Sequence, residues 1–218
     1  MSVYGYNPFF GRRFPSIQPR RKVFISYFKG DKPWVDKLVN DYGQSGTGVF
    51  IPRVVGVTDR DDFVDSDDVD YIMQAIRDRY LEDTSVTIVV IGRCTHSRKF
   101  VDWEIKSSLQ QPASGKTNGL LGLAIPPSKD LAGNQIWHHL PDRFSKNYIY
   151  NRNDISYARY YAWPNTSEDL RRWIEEVYQQ ADTQAHLIEN PQDMIRRNLV
   201  CNVHKEVHNV GWILKKNA

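Results

Sequence analysis

Cysteine is scarce. Cys94 and Cys201 are the only two in 218 residues, too few for a disulfide framework, and the composition suits a chain in a reducing cytosol. Long apolar runs are missing as well: Val86–Ile91 and Leu120–Pro127 are the longest, far short of the ~20 residues that span a bilayer. The opening Met1-Ser-Val-Tyr-Gly-Tyr-Asn-Pro has no basic stretch leading into an apolar one, so no secretory leader is expected. The Asn165-Thr166-Ser167 glycosylation pattern then carries no meaning. A large excess of one charge is also absent, the net charge being +3. That value hides an asymmetry. Residues 1–22 carry Arg12, Arg13, Arg20, Arg21 and Lys22 without an acid, whereas the rest holds 24 basic against 26 acidic side chains. The body is therefore not expected to bind nucleic acid or a membrane surface. Residues 1–21, with Pro8, Pro15 and Pro19, read as a flexible basic arm. What remains is 40% hydrophobic and 25% charged, ordinary for a folded domain.

Strand and helix patterns alternate after the arm. Lys22–Phe28 is a β-branched and aromatic run, followed by Asp31 as a helix cap and by Pro33 and Trp34 in a helix to about Tyr42. A short strand is expected at Thr47–Ile51. Val69, Ile72, Met73, Ile76 and Tyr80 mark one helix face. Ser85–Ile91 is apolar enough to be a central strand. The next helix, Arg98–Gln110, is capped by Thr95 or Ser97 and stacks Val101, Ile105 and Leu109 inward. Gly119–Pro126 is a further buried strand, 128–153 an irregular connection, and Asn147–Tyr150 and Ile155–Trp163 are β-rich. Thr166 or Ser167 opens a last helix to about Gln184, with Trp173, Ile174 and Val177 facing in. This is the pattern of a doubly wound, mostly parallel five-stranded α/β sheet of flavodoxin-like order 2-1-3-4-5. Its ligands belong at the switch point between strands one and three, where Ser26–Asp31 and Gly92–Ser97 leave the sheet.

Several chemistries fail on inspection. A receiver domain needs an aspartate where Ile91-Gly92-Arg93 stands, and a flavodoxin needs a glycine- and hydroxyl-rich loop where Tyr27-Phe-Lys-Gly-Asp31 stands. Gly115-Lys116-Thr117 lacks the glycine five positions earlier that a P-loop requires and precedes a strand, so it is a turn. The seven aspartates of Val57–Asp70 lack the alternation and the turn glycine of a calcium loop. Cys201, His204 and His208 share a stretch without a fourth ligand, so no metal is expected. Nothing resembles a nucleophile elbow. One carboxylate stands out. Glu104 lies one position off the inner face of its helix, in the second turn and near the crevice mouth, beside Trp103 and facing Tyr27 and Phe28. Spacing alone leaves it equally a site residue or a surface glutamate paired with Arg98 or Lys99.

The residues Val23-Phe-Ile-Ser-Tyr27, Gly48-Val-Phe50, Thr84-Ser-Val-Thr87 leading to Ile91-Gly92, and Arg98-Lys-Phe-Val-Asp-Trp-Glu-Ile-Lys-Ser-Ser108 resemble a TIR-like domain of the bacterial Thoeris anti-phage system, the ThsB type. The resemblance covers roughly residues 22–127, within a domain expected over 22–184, and leaves 185–218 as a C-terminal extension. It implies an NAD+ glycohydrolase or cyclase that breaks the nicotinamide–ribose bond and releases a cyclic ADP-ribose-type signal. That product acts on a separate effector. NAD+ is then the substrate, with no further cofactor. The resemblance also implies self-association on activation, a phage-derived trigger and a cytoplasmic location. By motif, Glu104 is the catalytic residue, and Ser26, Tyr27, Phe28, Asp31 and Trp103 surround the substrate. Arg53–Asp68 stands where the family has a loop gating access and assembly, and its aspartate density departs from that pattern. Two alternatives remain open: a non-catalytic TIR-like assembly or sensor module, and a nucleoside deoxyribosyltransferase-like enzyme.

Overall fold

In the computed structural model, residues 19–43, 48–54, 68–110, 116–127, 138–148, 156–205 and 207 are described. Five parallel strands lie in the order β2-β1-β3-β4-β5. They are β1 (Lys22–Tyr27), β2 (Ile51–Val54), β3 (Val86–Ile91), β4 (Gly119–Ala124) and β5 (Arg159–Ala162). β3 is buried along its whole length, as its unbroken Val-Thr-Ile-Val-Val-Ile run requires. In β1 the period of two sends Val23, Ile25 and Tyr27 to one face of the sheet and Phe24 to the other.

The helices cover both faces. α1 (Lys32–Tyr42) and α5 (Ser167–Thr183) pack Val35, Leu38, Leu170, Ile174 and Val177 onto the Ile25 side. α2 (Val69–Ile76), α3 (Lys99–Leu109) and α4 (Asp142–Asn147) cover the other, through Ile72, Met73 and Ile76 around Phe24, and through Val101, Ile105, Leu109 and Phe144. α2 runs on into a wider π turn at Arg77–Leu81, closed by Glu82 N–H to the Arg77 carbonyl at 2.9 Å. Thr166 caps α5, its hydroxyl accepting from Asp169 N–H at 3.1 Å.

β4 and α5 approach so closely that β4 begins with glycine. A Cβ on Gly119 would stand 2.5 Å from the Val177 carbonyl carbon and closer still to its oxygen. Backbone cannot yield as a side chain tip can. Gly119→Ala is expected to cost about 2–3 kcal/mol, the upper range for overpacking, read as a lower urea midpoint at unchanged m-value.

The expected elements shift in four places. The second strand is Ile51–Val54 rather than Thr47–Ile51, because pairing starts where Ile51 N–H meets the Arg21 carbonyl at 2.8 Å; Thr47 lies outside the described residues. Asn147, read as β, ends α4, where its amide donates back to the Arg143 carbonyl. Asp31 occupies the position before α1 but makes no cap bond, because its carboxylate turns to Thr95. Neither Thr95 nor Ser97 caps α3; both fold into a 3-10 turn (Thr95–Ser97), and Asn198 Oδ1 accepts from the free Lys99 N–H at 3.0 Å instead. The acid run over 57–67, His208 and most of the arm lie outside the described residues. Arg21, the arm's last residue, is held by Glu175 through two bonds of 3.0 Å.

The C-terminal extension has a definite course. It runs back along α3, from Asn190 at the Lys106 carbonyl, past Ile195 at Asp102 and Trp103, to Leu199 at the Ser97 carbonyl. With the sheet on one side and this strap on the other, α3 buries eight of its eleven residues.

Candidate functional site

β1 and its neighbours diverge at their carboxyl ends, and a cleft of about 410 Å³ opens there, lined by Phe28, Asp31, Trp34, Gly92, Cys94 and His138 among others. A larger cavity, about 550 Å³, is lined by Thr84, Ser85, Thr117 and Asn118. These residues precede β3 and β4, so that cavity lies at the opposite end of the sheet from the one that binds ligands in such folds.

Glu104 is no surface glutamate. It is 4% exposed, and its Oε2 accepts a hydrogen bond from Ser26 Oγ at 2.6 Å, at the short end for an O–H···O bond. The strand places Ser26 by alternation with Phe24, on the face α3 covers, and the helix places Glu104 opposite it. Two residues further on, Phe28 enters the cleft lining, and the Arg98 guanidinium lies 4.0 Å over its ring. Arg98 is fixed in turn by Nε donating to the Cys94 carbonyl at 3.2 Å. Ser26 and Glu104 themselves do not line the cleft.

Asp31 does line it. Thr95 Oγ1 donates to Asp31 Oδ2 at 3.1 Å and accepts from Gly92 N–H at 2.8 Å. A Cβ on Gly92 would stand 2.6 Å from Asp31 Oδ1, so glycine here lets the carboxylate keep this position. Burial raises the Asp31 carboxyl from 3.8 to about 6, against the opposing Thr95 bond and Arg98 charge. A folded value above the unfolded one means that protonated Asp31 favours the fold at low pH, and that this contribution is lost as pH rises through about 6. Asp31→Asn is therefore expected to match the parent below pH 4 and to exceed its stability at pH 7.5 by up to about 3 kcal/mol. Denaturation at the two pH values checks this; equal stabilities at pH 7.5 would contradict it.

Of the expected substrate residues, the structure brings Ser26 to Glu104 and places Phe28 and Asp31 on the cleft. Tyr27 and Trp103 do not belong with them. Tyr27 is 1% exposed in the core beneath α1, and Trp103 packs with Phe24 and Met194, its Nε1 donating to the Ile195 carbonyl at 2.8 Å. The aromatic that joins Phe28 on the cleft is Trp34, held edge-on by Trp163 with ring centroids 5.0 Å apart. In the sequence Trp34 reads only as part of the α1 pattern, and nothing in its spacing marks its place on the cleft.

A parallel sheet in the order 2-1-3-4-5, with helices on both faces and a cleft at the switch point, defines a flavodoxin-like α/β domain. Residues 24–130 match the family described as Thoeris protein ThsB, TIR-like domain. The chain thus carries a ThsB-type TIR-like domain, a module of Thoeris defence. The match spans β1 to β4 and includes Ser26, Asp31 and Glu104, while α4, β5, α5 and the strap lie beyond it. No curated protein matches the chain. No helix among the described residues is long and apolar enough to cross a membrane.

Proposed function

We propose that this domain cleaves NAD+ at the nicotinamide–ribose bond and closes the ADP-ribosyl unit into a cyclic product, with Glu104 as the catalytic carboxylate. The supporting observation is the buried Ser26–Glu104 pair behind the crevice at the end of β1. In the reaction, the bond from the ribose C1′ to the pyridinium nitrogen breaks and its electron pair stays on nitrogen. Nicotinamide leaves neutral, so no acid need protonate it. The ribose becomes oxocarbenium-like, and one carboxylate set against that charge suffices. Ser26 fixes the carboxylate's orientation. Phe28 and Trp34 supply flat apolar walls for the bases and exclude water, which favours ring closure, in which an atom of the same ADP-ribosyl unit takes C1′ in place of a water oxygen.

With Glu104 only 4% exposed, this reading requires the cleft to open before substrate meets the carboxylate. The same burial is the observation that favours the second reading, a TIR-like assembly module without catalysis. Chromatography of NAD+ incubated with the protein in lysate of phage-infected cells separates the readings. Nicotinamide release is expected. Base exchange on deoxynucleosides with NAD+ untouched would point to a deoxyribosyltransferase, and inertness toward both, with defence intact in Glu104→Ala, to the module.

A further inference from the structure

Cys94 and Cys201, 107 positions apart in the chain, meet with their sulfurs 3.5 Å apart. His204 joins them, its Nδ1 lying 3.2 Å from Cys94 Sγ and 3.6 Å from Cys201 Sγ. A tetrahedral zinc ion with bonds of about 2.3 Å to sulfur and 2.0–2.1 Å to nitrogen sets S···S edges near ~3.8 Å and S···N edges near ~3.5 Å. All three observed edges lie within a few tenths of an ångström of that triangle.

The backbone on both sides holds the triangle in place. Cys201-Asn-Val-His204 is a tight turn in which Lys205 N–H donates to the Cys201 carbonyl at 2.7 Å, putting both side chains on one side. The turn closes through Lys205 at φ 59, the left-handed region that a residue with a Cβ enters at a cost. The strap is keyed to the start of α3 by Leu199 N–H at the Ser97 carbonyl, 2.9 Å, and by Asn202 N–H at His96 Nε2, 3.1 Å. The sequence reading sought a partner for Cys201 and His204 in His208 and set metal aside; Cys94, from the loop after β3, supplies the third ligand. A disulfide is the rival use of the two thiols. It would need the sulfurs to close to about 2.05 Å and would leave unused an imidazole nitrogen nearly equidistant from both.

We propose that Cys94 Sγ, Cys201 Sγ and His204 Nδ1 bind one Zn2+ ion, which clasps the C-terminal strap to the loop between β3 and α3. On binding, the two thiols give up their protons to solvent and coordinate as thiolates. No further His, Cys, Asp or Glu of the described residues belongs to the group. Cys94 and His204 both line the cleft, so the fourth position opens onto it and carries water, the arrangement of three protein ligands and one open site.

Titration of the purified, reduced protein with Co2+ and then Zn2+ tests this. One equivalent of Co2+ per chain is expected to give a thiolate-to-cobalt charge-transfer band with strong tetrahedral visible bands, both erased by Zn2+. Cys94→Ser and His204→Ala are each expected to weaken metal binding at least ~10-fold, the loss that even an outer-shell partner causes. Absence of the charge-transfer band in the parent would overturn the assignment whether or not a variant folds. So would a band unchanged in Cys94→Ser, or a Cys94–Cys201 disulfide as the form isolated without metal under reducing conditions. The readout involves no NAD+ chemistry, so its outcome is independent of the proposed reaction.

Discussion

Glu104→Gln is expected to lower triggered NAD+ turnover on the order of 10²-fold or more, with KM little changed. The amide keeps the size of the carboxylate and can still accept from Ser26 Oγ, which now lies 2.6 Å away, but it carries no charge to set against the ribosyl cation. The loss is therefore one of transition-state stabilisation rather than of shape. Ser26→Ala leaves the charge and removes the bond that aims it, and is expected to fall between parent and Glu104→Gln. Glu104→Gln should unfold near the parent's urea midpoint, because it keeps the core volume, whereas Ser26→Ala removes a hydrogen bond to a buried carboxylate and should be about 1–3 kcal/mol less stable. Nicotinamide release measured by chromatography, with circular dichroism on the same samples, reads both parts. A Glu104→Gln variant that turns over NAD+ at the parent's rate would remove Glu104 from the chemistry.

The largest effect on stability is expected at Arg143. Its guanidinium is almost fully buried and grips Asp102 from both sides, Nε to Oδ1 at 2.8 Å and Nη2 to Oδ2 at 3.2 Å. The same group donates to Asn190 Oδ1 at 2.7 Å, the Gln192 carbonyl at 3.1 Å and the Asp193 carbonyl at 3.0 Å. Asp102 Oδ2 also accepts from Ile195 N–H at 3.0 Å. One planar fork thus joins α4, α3 and the strap. Arg143→Ala strands a buried carboxylate and four strap acceptors together, the Gln192 side-chain oxygen at 3.2 Å being the fourth, at an expected cost of about 3–5 kcal/mol. Arg143→Lys keeps the charge but cannot bridge both carboxylate oxygens, so it should recover little. Hydrogen exchange over 188–199 should rise with the loss, since Arg143 holds Asn190, Gln192 and Asp193 of the strap. A Lys variant as stable as the parent would contradict the bidentate account.

Much of this was legible in the sequence, and the failures have physical causes. β3 announced itself through an unbroken apolar run, and the strand order followed from alternation and crossover handedness. Val101, Ile105 and Leu109 fix the inner face of α3 and place Glu104 one step to the side, but spacing did not separate a buried carboxylate from a surface one; the burial of Glu104 at Ser26 depends on tertiary packing. Tyr27 was misread although the signal was present: it continues the Val23, Ile25 period and so faces the core. Trp103 could not have been placed, because the strap that covers it returns from 92 residues away. The same holds for Cys94 and Cys201, and for Thr95 and Asp31, whose meetings depend on tertiary closure and leave no spacing in the chain. Asp31 looked like a helix cap because it stands where caps stand; a buried hydroxyl across the crevice outcompeted the helix end.

The most direct measurement is mass spectrometry of the small molecules in phage-infected cells carrying either the parent chain or Glu104→Gln at equal protein levels. A product of cyclic ADP-ribose mass, present with the parent and missing with the variant, is the expected result. The same product at the same level in both, or NAD+ undiminished in parent cells that nonetheless resist phage, would contradict it.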